Sequence, residues 1–229
     1  MNSETPGKKQ VLSTPQLWTG VPTYWCPGCH YGIILRLILD TIKELGIEDE
    51  AIGVTSVGCS YASFAFYQID MIAAQHGRAP DVATGLKHAR YGENIVFTIQ
   101  GDGDLAAIGM GEVINAANRF EKITTIFLNN GNYGTTGGQL APTTILGQYT
   151  TTTPDGRNYE TFGFPVHVPE MMATMKGVAY AARSSVHSPA AFARTRKYMK
   201  KAFQKQVDNV GYSILEIISA CPPGWKLSP

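Results

Sequence analysis

Residues 94–130 read NIVFTIQGDGDLAAIGMGEVINAANRFEKITTIFLNN, and this stretch decides the fold. Two apolar, β-branched runs, 94–100 and 122–130, have the composition of buried strands, and the segment between them, 105–120, has the length and spacing of a helix. A strand, a crossover helix and a second strand imply that the two strands are parallel. The sequence therefore predicts a protein built on a parallel β-sheet.

The remaining segments extend this α/β pattern over one domain, residues 1–229, with an irregular lead-in at 1–24 and a tail at 219–229. Glycine, threonine, proline and asparagine fill 131–165, which reads as a long loop of the functional kind. Further helices are predicted over 33–45, from after Ser60 to near His76, near 169–176 and from Ser188 onward. Further strands are predicted over 51–57, 179–184 and 212–218.

Charge is scarce in this chain. Only 16% of the residues are charged, against about 25% in average soluble domains, which predicts a surface partly covered by partner chains. The net charge of +1 gives no electrostatic reason to bind nucleic acid or an anionic membrane. A basic run from Arg194 to Lys205 is interpreted as a solvated helix face, with docking of an acidic protein as the alternative.

No targeting or membrane segment is predicted. The N-terminal MNSETPGKKQ lacks the apolar core of a signal peptide, and GIILRLIL, residues 32–39, is too short to span a bilayer and contains Arg36. A cytoplasmic location is therefore expected. In that reducing compartment the four cysteines are expected to be ligands or reactive thiols rather than disulfides.

The GDGD segment, Gly101–Asp104, lies between the first strand and the crossover helix. Ligands of open parallel sheets bind at the carboxyl ends of the strands, and a helix N-terminus favours a phosphate. A carboxylate facing a phosphate is repulsive unless a cation lies between them, so Asp102 suggests Mg²⁺. The alternative is an ordinary strand-to-helix turn capped by aspartate.

A second polar pair closes the next strand. Asn129 follows Gly103 after 25 intervening residues, the length of one crossover helix and one incoming strand. Both polar segments are therefore expected at one edge of the sheet. That placement can surround one ion with the carboxylate of Asp102, the side-chain oxygen of Asn130 and a backbone carbonyl near Asn132.

WCPGCH, residues 25–30, allows three interpretations: a redox dithiol, a zinc site or an iron–sulfur site. A thioredoxin-type dithiol follows a strand, whereas the preceding PTYW belongs to the irregular lead-in. Two further cysteines, Cys59 and Cys221, stand alone after predicted strands. Four thiolates suit either structural zinc or an iron–sulfur cluster, so the residues alone leave both open.

The pairing of GDG with NN resembles the diphosphate-and-magnesium signature of thiamine diphosphate enzymes. NYGTTGGQ (132–139), CPGC (26–29), VGCS (57–60), HGRAPDVATG (76–85) and EIISACPPGW (216–225) resemble the β subunit of the 2-oxoacid:ferredoxin oxidoreductases. The resemblance covers residues 22–226. It implies a doubly wound, mostly parallel α/β sheet with helices on both faces, the diphosphate-binding domain of the thiamine diphosphate fold.

The same resemblance assigns residues to three cofactors. A 4Fe-4S cluster would be held by all the cysteines of the chain, Cys26, Cys29, Cys59 and Cys221. Mg²⁺ would be held by Asp102, Asn130 and Asn132, and the diphosphate by Gly103, Asp104, Gly134 and Thr135. The thiamine diphosphate cavity would be lined by Gly58, Cys59, Ser60, His76, Gly77 and Arg78.

The resemblance further implies oxidative decarboxylation of a 2-oxo acid to acyl-CoA and CO₂, with coenzyme A as co-substrate and ferredoxin as electron acceptor. A branched-chain 2-oxo acid such as 2-oxoisovalerate, or 2-oxoglutarate, is favoured. The activating glutamate would come from an α subunit that carries the pyrimidine-binding domain, with γ and ferredoxin-like δ subunits or domains completing the enzyme. Two alternatives are a cluster-free thiamine diphosphate decarboxylase or ligase subunit and a non-catalytic electron-transfer subunit.

Overall fold

A six-stranded, all-parallel sheet forms the centre of the molecule in the computed structural model, which describes residues 13–89 and 93–229. Its strands are β1 (Ala51–Thr55), β2 (Asp70–Ala73), β3 (Ile95–Gly101), β4 (Ile123–Asn129), β7 (Val178–Ser185) and β8 (Tyr212–Ile218). A small antiparallel pair, β5 (Asn132–Tyr133) and β6 (Gln139–Leu140), lies in the long segment between β4 and β7. The parallel sheet predicted from 94–130 is confirmed.

The strand order is β2-β1-β3-β4-β8-β7. β3 and β4 are neighbours, and Gly101 pairs in register with Leu128. The segments that follow these two strands, which begin at Asp102 and Asn130, therefore leave the sheet side by side. Because parallel strands present their carboxyl ends at one edge, the segments after β1 and β8 join them there.

Helices cover both faces of the sheet, as the resemblance implied. One face carries α1 (Tyr31–Leu45) and α6 (Pro189–Val207), and the other carries α2 (Ala79–Ala89), α3 (Met110–Asn118) and α5 (Val168–Ala173). Short helices α4 (Tyr159–Phe162) and α7 (Pro222–Trp225) lie outside these layers. Within 13–89 and 93–229, no helix combines the length and the apolar character needed to cross a bilayer.

Two apolar layers hold the helices to the sheet. Leu37, Ile38 and Phe203 belong to the layer under α1 and α6, and Val113 and Phe127 belong to the layer on the opposite face. The strands of this sheet are buried on both faces, which explains why they read as continuous apolar runs rather than as alternating ones. Burial of these side chains drives the packing of the sheet between its two helix layers.

Local end signals set the limits of the helices. α1 stops at Gly46, which takes the left-handed conformation at φ 65° and donates its N–H to the carbonyls of the last turn. α6 begins at Ser188, whose hydroxyl accepts from the N–H of Ala191, and proline occupies its first position. The basic side chains of α6 lie toward solvent, and Arg196 pairs with Glu44 of α1.

The helix predicted between Ser60 and His76 is wrong. Residues Tyr61–Phe66 form one short 3-10 helix, and Asp70–Ala73 form the edge strand β2. The apolar side chains of Ile69 and Met71 pack on the sheet core, and parallel pairing with β1 outweighs the helical tendency of the alanines. The helix α2, which follows directly, was not predicted.

The long segment 131–165 is ordered by a single buried arginine. Arg157 is 5% exposed, and its guanidinium donates to six backbone carbonyls. Three of these carbonyls belong to 141–144 and three to 162–164, so one side chain ties the middle of the segment to its C-terminal end. The planar fork of arginine supplies donors in directions that a lysine cannot reproduce.

We expect Arg157→Lys to lower the free energy of unfolding by about 2–4 kcal/mol, because several buried carbonyls lose their donor at roughly 1–3 kcal/mol each. The same change is expected to expose 141–164 to proteases. Chemical denaturation and limited proteolysis with mass spectrometry measure both effects. Arg194→Lys, on the exposed side of α6, is the control and should change neither. Equal protease resistance in the two variants would contradict this role of Arg157.

Candidate functional site

Asp102 lies at the carboxyl end of β3 and is 3% exposed. One of its oxygens accepts the N–H of Gly103 at 2.8 Å, and the other lies 3.2 Å from the hydroxyl of Thr143. Burial raises the pKa of the Asp102 carboxyl to about 7, although these hydrogen bonds oppose the shift. A buried carboxylate with no cationic side chain bonded to it in the described residues suits a bound cation.

Two asparagines share the cavity of Asp102. Asn130 and Asn132 line the same space of about 200 Å³, together with Gly101 and Gly103. Both asparagine side chains are buried, and the Asn130 side-chain oxygen accepts the N–H of Asn132 at 3.1 Å. Carboxylate, amide and carbonyl oxygens are the ligands that Mg²⁺ prefers. The donor set therefore fits a divalent cation.

The start of the crossover helix is tightly built. A side chain at Gly103 would run into the ring of Tyr133, since an added Cβ would lie 2.0 Å from a ring carbon. Residues Asp104–Ile108 form a π-helical turn before α3, a feature often found at functional sites. Gly77 and Gly109 pack backbone against backbone, which brings the loop after β2 onto this turn.

The Asp104 carboxylate is occupied by hydrogen-bond donors of the protein and is not a free ligand. It is 2% exposed and accepts from the Ser56 hydroxyl at 2.6 Å, the Gly77 N–H at 2.6 Å and the Gln100 amide at 2.7 Å. His76 Nδ1 lies 3.0 Å from the same carboxylate. With its oxygens occupied by protein donors, Asp104 can offer a diphosphate only its backbone N–H at the helix N-terminus.

The other residues predicted to lie around the cofactor divide into two groups. Gly58, Cys59, His76, Gly134 and Thr135 line the 200 Å³ cavity with Asp102. Ser60, Gly77 and Arg78 are not among its lining residues. Ser60 is buried without a hydroxyl partner in the described residues, Gly77 packs against Gly109, and Arg78 pairs with Glu112 of α3. The structure thus brings most of the predicted residues together at one cavity, whereas the Arg78 side chain pairs with α3 outside it.

All four cysteines line a second cavity, of about 410 Å³. Cys26 and Cys29 lie in the turn before α1, Cys59 follows β1, and Cys221 follows β8. None forms a disulfide. The rest of the lining is aromatic side chains, prolines and glycines with two polar residues, Asn130 and Thr135, and no charged side chain among the described residues. Segments from the front, middle and end of the chain thus meet at one place.

Side chains that the sequence analysis passed over tie these segments together. The Trp25 ring N–H donates to the Cys59 carbonyl at 2.7 Å, which joins the first pair of cysteines to the third. His30 Nδ1 accepts the N–H of Ala220 at 3.1 Å, which joins the same turn to Cys221. His30 was given no role, because nothing in its sequence spacing indicated a partner 190 residues away.

The thiol environment disfavours a redox dithiol. Burial raises the pKa of the Cys29 thiol to about 11, with the neighbouring thiols adding to the shift, and burial raises the pKa of Cys59. A reactive dithiol needs a lowered pKa. In the described ranges no three His, Cys, Asp or Glu side chains are close enough to share one metal ion. Four thiolates suit structural zinc as well as an iron–sulfur cluster.

The two cavities share a wall. Tyr31, Gly58, Cys59, Gly134 and Thr135 border both, and the Cys59 thiol lies 2.9 Å from the Thr135 hydroxyl. A side chain at Gly134 would lie 3.2 Å from the Cys59 sulfur. The cavity between the four cysteines is therefore separated from the Asp102 cavity by roughly one layer of residues.

Comparison with known proteins identifies the class and then the family. The model for the C-terminal TPP binding domain of thiamine pyrophosphate enzymes matches residues 56–217, which defines the chain as a thiamine diphosphate enzyme domain. The chain belongs, more narrowly, to the 2-oxoacid:ferredoxin oxidoreductase family, and it corresponds to the subunit that carries this domain.

Three relatives support the assignment. The ketoisovalerate oxidoreductase subunit VorA of Methanothermobacter thermautotrophicus is 40% identical over 89% of this chain. The 2-oxoglutarate synthase subunit KorB of Archaeoglobus fulgidus is 34% identical over 91% of this chain and 73% of its own length. The structure of 2-oxoglutarate:ferredoxin oxidoreductase from Magnetococcus marinus, with 2-oxoglutarate, coenzyme A and succinyl-CoA bound, matches 96% of this chain and 71% of that chain, with 29% identity and a TM-score of 0.77. The chain spans 43% of the length of VorA.

Proposed function

We propose that this chain is the thiamine diphosphate-binding subunit of a 2-oxoacid:ferredoxin oxidoreductase. The reaction converts a 2-oxo acid and coenzyme A into acyl-CoA, CO₂ and a proton, and passes two electrons singly to ferredoxin. One observation carries the proposal: the cavity lined by all four cysteines shares a wall with the cavity that holds Asp102, Asn130 and Asn132.

Mg²⁺ would be held by the Asp102 carboxylate, the Asn130 side-chain oxygen and a carbonyl oxygen of Asn132. The buried, cation-free carboxylate of Asp102 supports this assignment. Gly103, which has no side chain to block the approach, and the N–H of Asp104 at the start of the crossover helix would hold the diphosphate together with Gly134 and Thr135. When bound, thiamine diphosphate supplies the nucleophilic carbon and the electron sink for decarboxylation.

A 4Fe-4S cluster would be held by Cys26, Cys29, Cys59 and Cys221. The common cavity of these thiols supports the assignment, and so does its lining of five glycines, whose N–H groups can approach cluster sulfides closely. The position of Cys59 in the wall between the cavities keeps the electron donor and the electron acceptor adjacent. Trp25 and His30 would hold the ligand turns in register.

The chain is expected to need partner chains. Among the described residues, no glutamate lines the Asp102 cavity, so the carboxylate that activates the aminopyrimidine would come from an α subunit. Val57, Tyr61, Phe64 and Ile108, each 41–50% exposed, are apolar side chains near this end of the sheet that suit a protein cover. Further subunits would receive the electrons on the way to ferredoxin.

A branched-chain 2-oxo acid or 2-oxoglutarate is the proposed substrate. The names of the relatives VorA and KorB support these two classes. The charge of the substrate side chain distinguishes them, because the distal carboxylate of 2-oxoglutarate needs a cationic partner and a branched alkyl chain does not. Assaying both compounds on the assembled enzyme assigns the class.

The test is a spectrum of the enzyme purified without air together with its partner chains. We expect about four iron and four sulfide per cluster of this chain and broad visible absorption. Adding one 2-oxo acid should partly bleach that absorption, and coenzyme A should increase the bleaching. A colourless, iron-free enzyme that still releases CO₂ would instead show a cluster-free decarboxylase, and failure to bind thiamine diphosphate with Mg²⁺ would show a non-catalytic subunit.

A further inference from the structure

Glu216 is a buried carboxylate in the interior of the sheet. It lies on β8, is 1% exposed, and bonds two side chains: Asn129 through one oxygen and Arg183 through the other. Burial raises the pKa of Glu216, and the bonds to Asn129 and Arg183 oppose that shift. A buried charge lowers the stability of the folded protein unless it is well paired, so a carboxylate among apolar strands indicates a specific role.

Glu216 fixes the orientation of the Asn129 amide. A carboxylate only accepts hydrogen bonds, and the Asn129 nitrogen donates to it at 2.6 Å. The Asn129 oxygen must then face the opposite way, where it accepts the Gly131 N–H at 3.0 Å and the Thr143 hydroxyl at 2.8 Å. Arg183, anchored on its far side by Glu170, favours the ionised form of Glu216 and holds the carboxylate in place.

The Thr143 hydroxyl stands between two acceptors but has a single proton. It lies 2.8 Å from the Asn129 oxygen and 3.2 Å from an oxygen of Asp102. The shorter contact is the stronger one, so the proton lies mainly toward Asn129 and the hydroxyl donates only weakly to Asp102, which leaves lone pairs of that carboxylate for a cation. If the Asn129 amide turned over, its nitrogen would face Thr143, and the hydroxyl could donate only toward Asp102.

We propose that Glu216 is a positioning residue for the metal site: through Asn129 it directs the Thr143 proton away from Asp102. This inference rests on the proposed cation at Asp102. Glu216 touches neither the cation nor a substrate, and its effect reaches Asp102 through two intervening side chains. The two asparagines of the NN pair thus have different roles. Asn130 is the proposed ligand of the ion, and Asn129 orients the Thr143 hydroxyl.

The test measures Mn²⁺ affinity by electron paramagnetic resonance on the assembled enzyme with thiamine diphosphate. Glu216→Gln, which has the same shape but can donate, lets the amide turn over and should weaken Mn²⁺ binding about tenfold, within the range for outer partners of metal ligands. Glu160→Gln is the matched control, because it makes the same chemical change at an exposed residue of α4. It should leave the affinity unchanged.

A second pair of variants distinguishes an effect on the Thr143 proton from general support of the sheet by Glu216. Thr143→Val removes the competing proton and should bind Mn²⁺ nearly as well as the natural protein. The double variant Thr143→Val with Glu216→Gln should match Thr143→Val alone, so loss of the hydroxyl rescues the loss of the carboxylate. Damage to the sheet would not be rescued in this way.

Two results would overturn the inference: Glu216→Gln binding Mn²⁺ as tightly as the natural protein, or the double variant binding as weakly as Glu216→Gln. These outcomes are distinct from failure of the proposed function. If the natural protein itself showed no thiamine diphosphate-dependent Mn²⁺ site, the metal assignment would be wrong and the role of Glu216 would fall with it.

Discussion

Cys221→Ser is expected to remove the iron–sulfur absorption and to reduce the bound iron from about four atoms per chain to less than one. Cys221 is the proposed ligand from the C-terminal tail, and it lines the cavity that the other three cysteines share. Serine is a poor ligand for a cluster held otherwise by thiolates. Electron transfer to ferredoxin should be lost, while binding of thiamine diphosphate with Mg²⁺ should persist.

Thr135→Val is the control for the cysteine substitution. It removes the hydroxyl that lies 2.9 Å from the Cys59 sulfur but leaves every thiol in place. Iron content should stay at the natural level. The reduction potential should shift, because hydrogen bonds near the ligand sulfurs tune it, and thiamine diphosphate should bind more weakly, because Thr135 is also assigned to the diphosphate. Full iron content in Cys221→Ser would contradict the assignment of this cysteine as a ligand.

Asp102→Asn is expected to weaken Mg²⁺-dependent binding of thiamine diphosphate by about 100-fold or more, since a direct ligand should matter at least as much as its outer partners. The asparagine keeps the shape of the side chain but not the charge that attracts the cation. The cofactor-free variant should be at least as thermally stable as the natural protein, because a buried charge is removed from an apolar setting. Calorimetric titration and thermal melts measure the two effects.

Asp155→Asn provides the matched comparison for Asp102→Asn. Asp155 lies exposed in the long segment that follows β4, so the same chemical change there should alter neither cofactor affinity nor melting temperature. Unchanged thiamine diphosphate affinity in Asp102→Asn would show that the cation, if present, is held elsewhere. A sharp loss of stability in that variant would show instead that the carboxylate supports the fold.

Much of the architecture could be predicted from the sequence, because the strands are buried on both faces and read as long apolar runs. Residues 95–101, 123–129 and 212–218 were found within a residue or two for this reason. β2 could not be found in the same way. It is a four-residue edge strand, mostly exposed, and only its pairing with β1 distinguishes it from a helix.

The site was predictable where motifs follow strand ends and unpredictable where function depends on distant partners. The short spacings around Gly101–Asp104 and Asn129–Asn130 already implied one shared edge of the sheet. The link from His30 to Ala220 and the link from Glu216 to Asn129 cross 190 and 87 residues. No local pattern encodes such contacts. The pairing of Arg78 with Glu112 on α3 was likewise not indicated by the loop sequence.

Diffraction data collected across the iron absorption edge, from crystals of the assembled enzyme grown without air, test the central claim most directly. The account predicts one compact group of four iron positions in the 410 Å³ cavity, bonded to the sulfurs of Cys26, Cys29, Cys59 and Cys221. A single metal ion, or no iron signal among these four sulfurs, would contradict it.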